Sequence, residues 1–126
     1  MGETTIIGTK GERAAMKYLR SNGFLIHELN WRCGSYEIDI IAERWGVIHF
    51  VEVKTRKSGG LTTPEQAITP KKIASIRKAV ASYLALKRVR GEHQYDLIAV
   101  EHDGESVVDL RYIENAMESS WMIRRR

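Results

Sequence analysis

Two short segments place acids and a base where a core strand should be apolar. Tyr36–Glu43 reads YEIDIIAE and Phe50–Arg56 reads FVEVKTR. Each begins as a buried strand does, yet the first carries Glu37 and Asp39 and the second Glu52 and Lys54. Residues two apart share one face of a strand. Paired carboxylates beside an ammonium bind a hard divalent cation or neutralise one another in a salt-bridge network.

The connection between the segments sets their alignment. With Trp45-Gly46 as a two-residue turn, Arg44 faces Val47, Asp39 faces Glu52 and Glu37 faces Lys54. Opposed residues point to one side of a sheet, so all four charges share a face, three of them carboxylates. Regular alternation sends Tyr36, Ile38, Ile40 and Ala42 to the other side. A three-residue loop would shift the pairing by one and still leave diagonal neighbours within about 8 Å. Opposed, partly buried carboxylates repel and lose hydration. Lys54 offsets one charge, whereas a divalent cation offsets two and prefers oxygen ligands. We therefore read this face as one wall of a metal site. A plain salt-bridge network accounts for Glu37, Glu52 and Lys54 but leaves Asp39 and Glu12 without cations.

Glu12 belongs to the same argument. At roughly 100° per residue it lies within about 60° of the apolar stripe Ala15, Met16 and Leu19. A core-facing glutamate needs a partner; the alternative is a carboxylate favoured by a helix N-terminus.

The elements that must position these residues follow from pattern. A helix is expected from Thr9 to Asn22, stopped by Gly23. Phe24–Leu29 reads as a strand and Asn30–Ser35 as a loop, followed by the two charged strands. Arg56–Gln66 is a loop in which Thr63-Pro64 caps a short helix carrying Glu65 and Gln66. Thr69 then caps a helix with Pro70 at its first position and Ile73, Ile76, Val80, Tyr83 and Leu84 along one face. Tyr95–Glu101 is a strand, Asp103-Gly104 a hairpin signal, and Ser106–Tyr112 the return. A last short helix is expected over Ile113–Ser120. Helix, three strands, helix, two strands and helix make an α/β domain, a five-stranded mixed sheet flanked by helices.

Composition bounds the function class. The chain has 126 residues, the size of one domain over residues 1–126, with 43% apolar and 29% charged residues. Its net charge of +4 is a mild basic bias that suits a polyanionic partner without requiring one. Cys33 is the only cysteine, which excludes an internal disulfide and a cysteine-based zinc site within one chain. No apolar run is long enough to span a membrane, and the first residues do not read as a secretory signal, so a cytoplasmic protein is expected. Arg124–Arg126 is expected to be a solvated tail.

The wider pattern carries a resemblance. Asp39, twelve intervening residues, then Glu52, one residue and Lys54 resembles the signature of the PD-(D/E)XK nucleases, the restriction-endonuclease-like superfamily. GERAAMKYLRSNGF, NWR, EIDIIA, FVEVKTR, the lysine-bearing helix with ASYL, and YDLIAV all resemble the YraN-like family of small bacterial proteins, over roughly Gly8 to Met117. The resemblance implies a restriction-endonuclease-like core with Glu12, Asp39, Glu52 and Lys54 as the active-site constellation and Glu37 and Arg56 close by. Lys72 matches a lysine of the family, and Gln66 an auxiliary glutamine of some relatives. The family usually has glycine where this chain has Tyr36, a departure that bears on access to the site.

Metal-dependent hydrolysis of phosphodiester bonds is the activity this implies. Asp39 and Glu52, with the carbonyl of Val53, are expected to hold Mg²⁺ or Mn²⁺, and Lys54 to orient the attacking water or neutralise developing charge. The implied partner is nucleic acid, with DNA expected, including branched or repair and recombination intermediates; its backbone is expected along Lys57, Lys71, Lys72 and Arg77. By analogy a homodimer would reach two strands. The rival from another class is a nucleic-acid-binding module that keeps the fold without the catalysis.

Overall fold

The computed structural model describes residues 3–60 and 69–117. Helix α1 (Glu3–Ser21) is followed by strands β1 (Leu25–Cys33), β2 (Tyr36–Arg44) and β3 (Val47–Lys57), helix α2 (Pro70–Leu86), and strands β4 (His93–His102) and β5 (Val107–Ile113). The five strands form one sheet in the order β1-β2-β3-β4-β5. All neighbours are antiparallel except β3 and β4, which run parallel. A parallel pair needs a long crossover, and the segment containing α2 supplies it. The α/β class and five-stranded mixed sheet stand as the sequence implies, with the arrangement of a restriction-endonuclease-like core.

The two helices cover two separate cores. Ala15 and Leu19 of α1 pack with Phe24, Ile40, Ala42, Val51, Ile98 and Val100. Ile76, Ala79, Val80 and Tyr83 of α2 pack with Ile38, Ile41, Ile48, Phe50 and Tyr95. Inner strands that feed both cores must be apolar on both faces, which is why β3 and β4 read as nearly continuous apolar runs.

The turn between β2 and β3 fixes the register. Trp45 and Gly46 both have positive φ, 53° and 76°, the backbone that a two-residue hairpin demands. Tryptophan is an unusual occupant of that conformation. The Arg44 guanidinium lies 4.1 Å from the centroids of both the Trp45 and Phe24 rings, which offsets part of the cost. Arg44 pairs with Val47, and the ladder runs in the expected register to Ile40–Val51.

Several boundaries differ from expectation. Helix α1 begins at Glu3, six residues before Thr9. β1 extends through Cys33, so most of the expected Asn30–Ser35 loop is strand, paired with β2 as far as Cys33–Tyr36. Apolar Trp31 pairs with Ile38 and packs on Tyr83 with ring centroids 5.2 Å apart, an anchor that loop-like neighbours concealed. The expected helix at Ile113 is not formed: Ile113 ends β5, and residues 114–117 are turns, with the Ala116 N–H bonded to the Tyr95 carbonyl at 2.8 Å. The remainder of that segment, and the expected short helix with Glu65 and Gln66, lie outside the described residues. Among the described residues no helix is long and apolar enough to cross a membrane.

Candidate active site

β2 brings Asp39 to the site by a break in its own alternation. Ile38 and Ile41 both belong to the core under α2, while Ile40 and Ala42 belong to the core under α1. Strict alternation cannot put residues three apart on one face, so the strand slips at Asp39. The Asp39 carboxylate accepts the backbone N–H of Val53 at 2.8 Å, two residues beyond the last ladder pair on β3. A side chain here replaces a backbone acceptor. In a strand the N–H and C=O of one residue point toward the same neighbour, so the Val53 carbonyl also lies on Asp39's side.

The slip corrects the expectation that all four charges share one face. Tyr36 packs on the α2 side, and its hydroxyl donates to Glu52 Oε1 at 2.9 Å. Glu37, the next residue along the strand, falls on the α1 side, where its charge raises the Glu12 pKa. Glu37 is therefore not the partner of Lys54. Asp39 lies between the two groups and feels the charges of Glu52, Glu12 and Glu37.

Glu52 is the best-compensated acid of the cluster. It is 6% exposed. Its Oε2 lies 3.0 Å from Lys72 Nζ and 3.7 Å from Lys54 Nζ. Lys72 reaches it because the Thr69 hydroxyl accepts the Lys72 N–H at 3.2 Å, capping α2 as expected and fixing its first turn beside β3. Lys72 thus joins the carboxylate cluster. Burial and the adjacent Lys72 ammonium lower the Lys54 pKa. Burial alone would lower Lys72 too, but its contacts with Lys54 and Glu52 hold it above the ordinary lysine value.

Asp39 and Glu12 lack such compensation. Burial, then the charge of Glu52, pushes the Asp39 carboxyl up to about 7 despite the Val53 hydrogen bond. Burial and Glu37 raise Glu12. Glu12 is positioned by its neighbour Gly11: a Cβ at residue 11 would collide with the Thr55 hydroxyl, so α1 rests on β3 with no room for a side chain. Nothing in the sequence pattern marks that glycine as a contact point. Glu12 lies within electrostatic reach of Glu37 and Asp39, on the side the apolar stripe implies.

The outer residues divide by position. Arg56, Lys57 and Lys71 are exposed, the first two at the end of β3 and the third in the first turn of α2; Arg77 is exposed further along α2. Gln66 lies outside the described residues. Tyr95 joins the site without having been expected there: it is buried next to Tyr36, and burial followed by the Glu52 charge raises its pKa.

The Asp39 and Glu52 carboxylates and the Val53 carbonyl are hard oxygen donors, and among the described residues Asp39 makes no ion pair within 4 Å. Among the described residues no group of three or more acidic, histidine or cysteine side chains converges as a ready cage.

Comparison with known proteins places this arrangement in a family. A sequence model described as "Uncharacterised protein family UPF0102" matches residues 11–100. The UPF0102 protein of Geotalea daltonii is 36% identical over 116 residues, covering 91% of this chain and 91% of the relative. That of Geobacter metallireducens is 38% identical over 116 residues, covering 91% and 94%. One from Bacteroides fragilis is 37% identical over 100 residues, covering 79% and 83%. The matched span runs from Gly11, beneath Glu12, through both charged strands and α2 to Val100 in β4, and so takes in every residue of the site: the chain belongs to the UPF0102 family.

Proposed function

We propose that this protein is a metal-dependent nuclease hydrolysing phosphodiester bonds in nucleic acid, DNA in the first instance. The observation that carries the reading is the uncompensated Asp39 carboxylate, held by the Val53 N–H beside Glu52 and the Lys54 ammonium. Asp39, Glu52 and the Val53 carbonyl are the ligands for Mg²⁺ or Mn²⁺. When bound, the ion acidifies water and neutralises phosphoryl charge.

The residues of the chain do the rest. Lys54 shares the Glu52 face and is placed to hold the attacking water or the phosphoryl oxygens, where its charge counts most in the transition state. Lys72 lies against Glu52 and balances its charge. Glu12, from the α1 side, adds a carboxylate for the waters around the ion. Arg56, Lys57, Lys71 and Arg77 provide sequence-independent attraction to the phosphate backbone. A panel of branched, flapped and linear DNA with Mg²⁺ or Mn²⁺, run against Asp39→Asn, tests the reading; cleavage that is absent throughout, or untouched by the substitution, refutes it.

One observation favours a second reading. Glu52 already lies against two lysines, and a carboxylate so compensated needs no ion. A nucleic-acid-binding module with Glu52 as a structural ion-pair centre would bind DNA equally well with and without divalent metal.

A further inference from the structure

The Glu52 carboxylate offers a cation its two oxygens on unequal terms. Oε2 lies between two ammonium groups, at 3.0 Å and 3.7 Å. A divalent cation brought to that oxygen would sit within a few ångströms of two like charges in a partly buried setting, where repulsion is poorly screened. Oε1 is free of lysines and accepts only the Tyr36 hydroxyl, at 2.9 Å. A cation shared between Asp39 and Glu52 meets less repulsion at Oε1, the oxygen the phenol holds.

The phenol is also well anchored. Tyr36 follows the β1–β2 turn, pairs with Cys33, and packs its ring against the core under α2. Burial and the Glu52 charge raise its pKa, so it stays a neutral donor throughout the working range. Tyr95 is buried beside the same charges and next to the Tyr36 phenol.

We propose that Tyr36 is a gate on the metal site: its hydroxyl occupies Glu52 Oε1, the oxygen of that carboxylate turned away from the lysine contacts, and competes with a cation for it. This rests on the metal reading above and adds to it a positioning residue that restrains affinity. It predicts the opposite of an ordinary supporting hydrogen bond, whose loss typically weakens metal binding 10–100-fold.

The test is calorimetric titration of the purified protein with Mn²⁺, using wild type, Tyr36→Phe, Glu52→Gln and the double variant. Phenylalanine keeps the ring in its core and removes only the hydroxyl. Tyr36→Phe should bind Mn²⁺ about 3–10-fold more tightly than wild type, the scale of one modest hydrogen bond, and the gain should vanish in the Glu52→Gln background. Equal affinity in wild type and Tyr36→Phe, or weaker binding in the variant, overturns the gate while leaving the metal site standing. A gain that persists without Glu52 overturns it too, by showing that the hydroxyl acts elsewhere. Absence of Mn²⁺ binding in all four proteins overturns the gate and the metal reading together.

Discussion

The backbone N–H of Val53 donates to the Asp39 carboxylate at 2.8 Å, just where the β2–β3 ladder has ended at Ile40–Val51. This hydrogen bond holds an acid between two strands, facing other acids, and several consequences follow from that position.

Metal should stabilise the folded protein. A ligand that binds only the native state adds about 2.7 kcal/mol at a hundred times its dissociation constant. We expect Mn²⁺ or Mg²⁺ to raise the melting temperature by several degrees in wild type and not in Asp39→Asn, as read by differential scanning fluorimetry. Equal shifts in both proteins would locate the ion elsewhere.

Without metal, stability should fall as pH rises. The Asp39 carboxyl is raised in the folded state to about 7 from 3.8. Between those values the folded protein keeps a proton that the unfolded chain has lost, so each step up in pH removes stability until the folded pKa is passed. Asp39→Asn should flatten that decline and be the more stable protein above pH 7. Urea titrations between pH 5 and 8 measure this, and the metal-dependent stabilisation should emerge toward the top of the range, where Asp39 ionises.

Loss of Lys54 should separate turnover from affinity. In Lys54→Ala we expect cleavage to fall by at least a hundredfold, the scale set by removing one group that stabilises transition-state charge. Binding of the same DNA should change little, because backbone attraction rests on Arg56, Lys57, Lys71 and Arg77. Binding by fluorescence anisotropy at two salt concentrations gives the comparison; equal loss of binding and cleavage would put Lys54 in the substrate groove.

Gly11 should be sensitive to its smallest replacement. A Cβ there meets the Thr55 hydroxyl, so Gly11→Ala must lift α1 from β3 or turn a stiff β-branched side chain. Overpacking of this kind costs about 1–3 kcal/mol. Denaturant midpoints should show that loss in Gly11→Ala and its recovery in Gly11→Ala/Thr55→Ala, where the obstructing oxygen is gone.

The sequence by itself determined the frame. Alternating and continuous apolar runs marked the strands, the Thr69-Pro70 cap marked the start of α2, and the short Trp45-Gly46 connection fixed the β2–β3 register to the residue, because a two-residue turn leaves no slack. The apolar stripe of α1 carried Glu12 toward the acids for the same local reason. Tertiary structure decided how the charges are shared. The slip at Asp39 depends on which core claims Ile38 and which claims Ile40, a contest between two helices that no single strand records. It moved Glu37 to the α1 side and brought Tyr36 onto Glu52. Lys72 entered the site, and Gly11 became the seat of α1, through contacts between residues far apart in the chain, set by packing across the sheet and invisible to any local pattern.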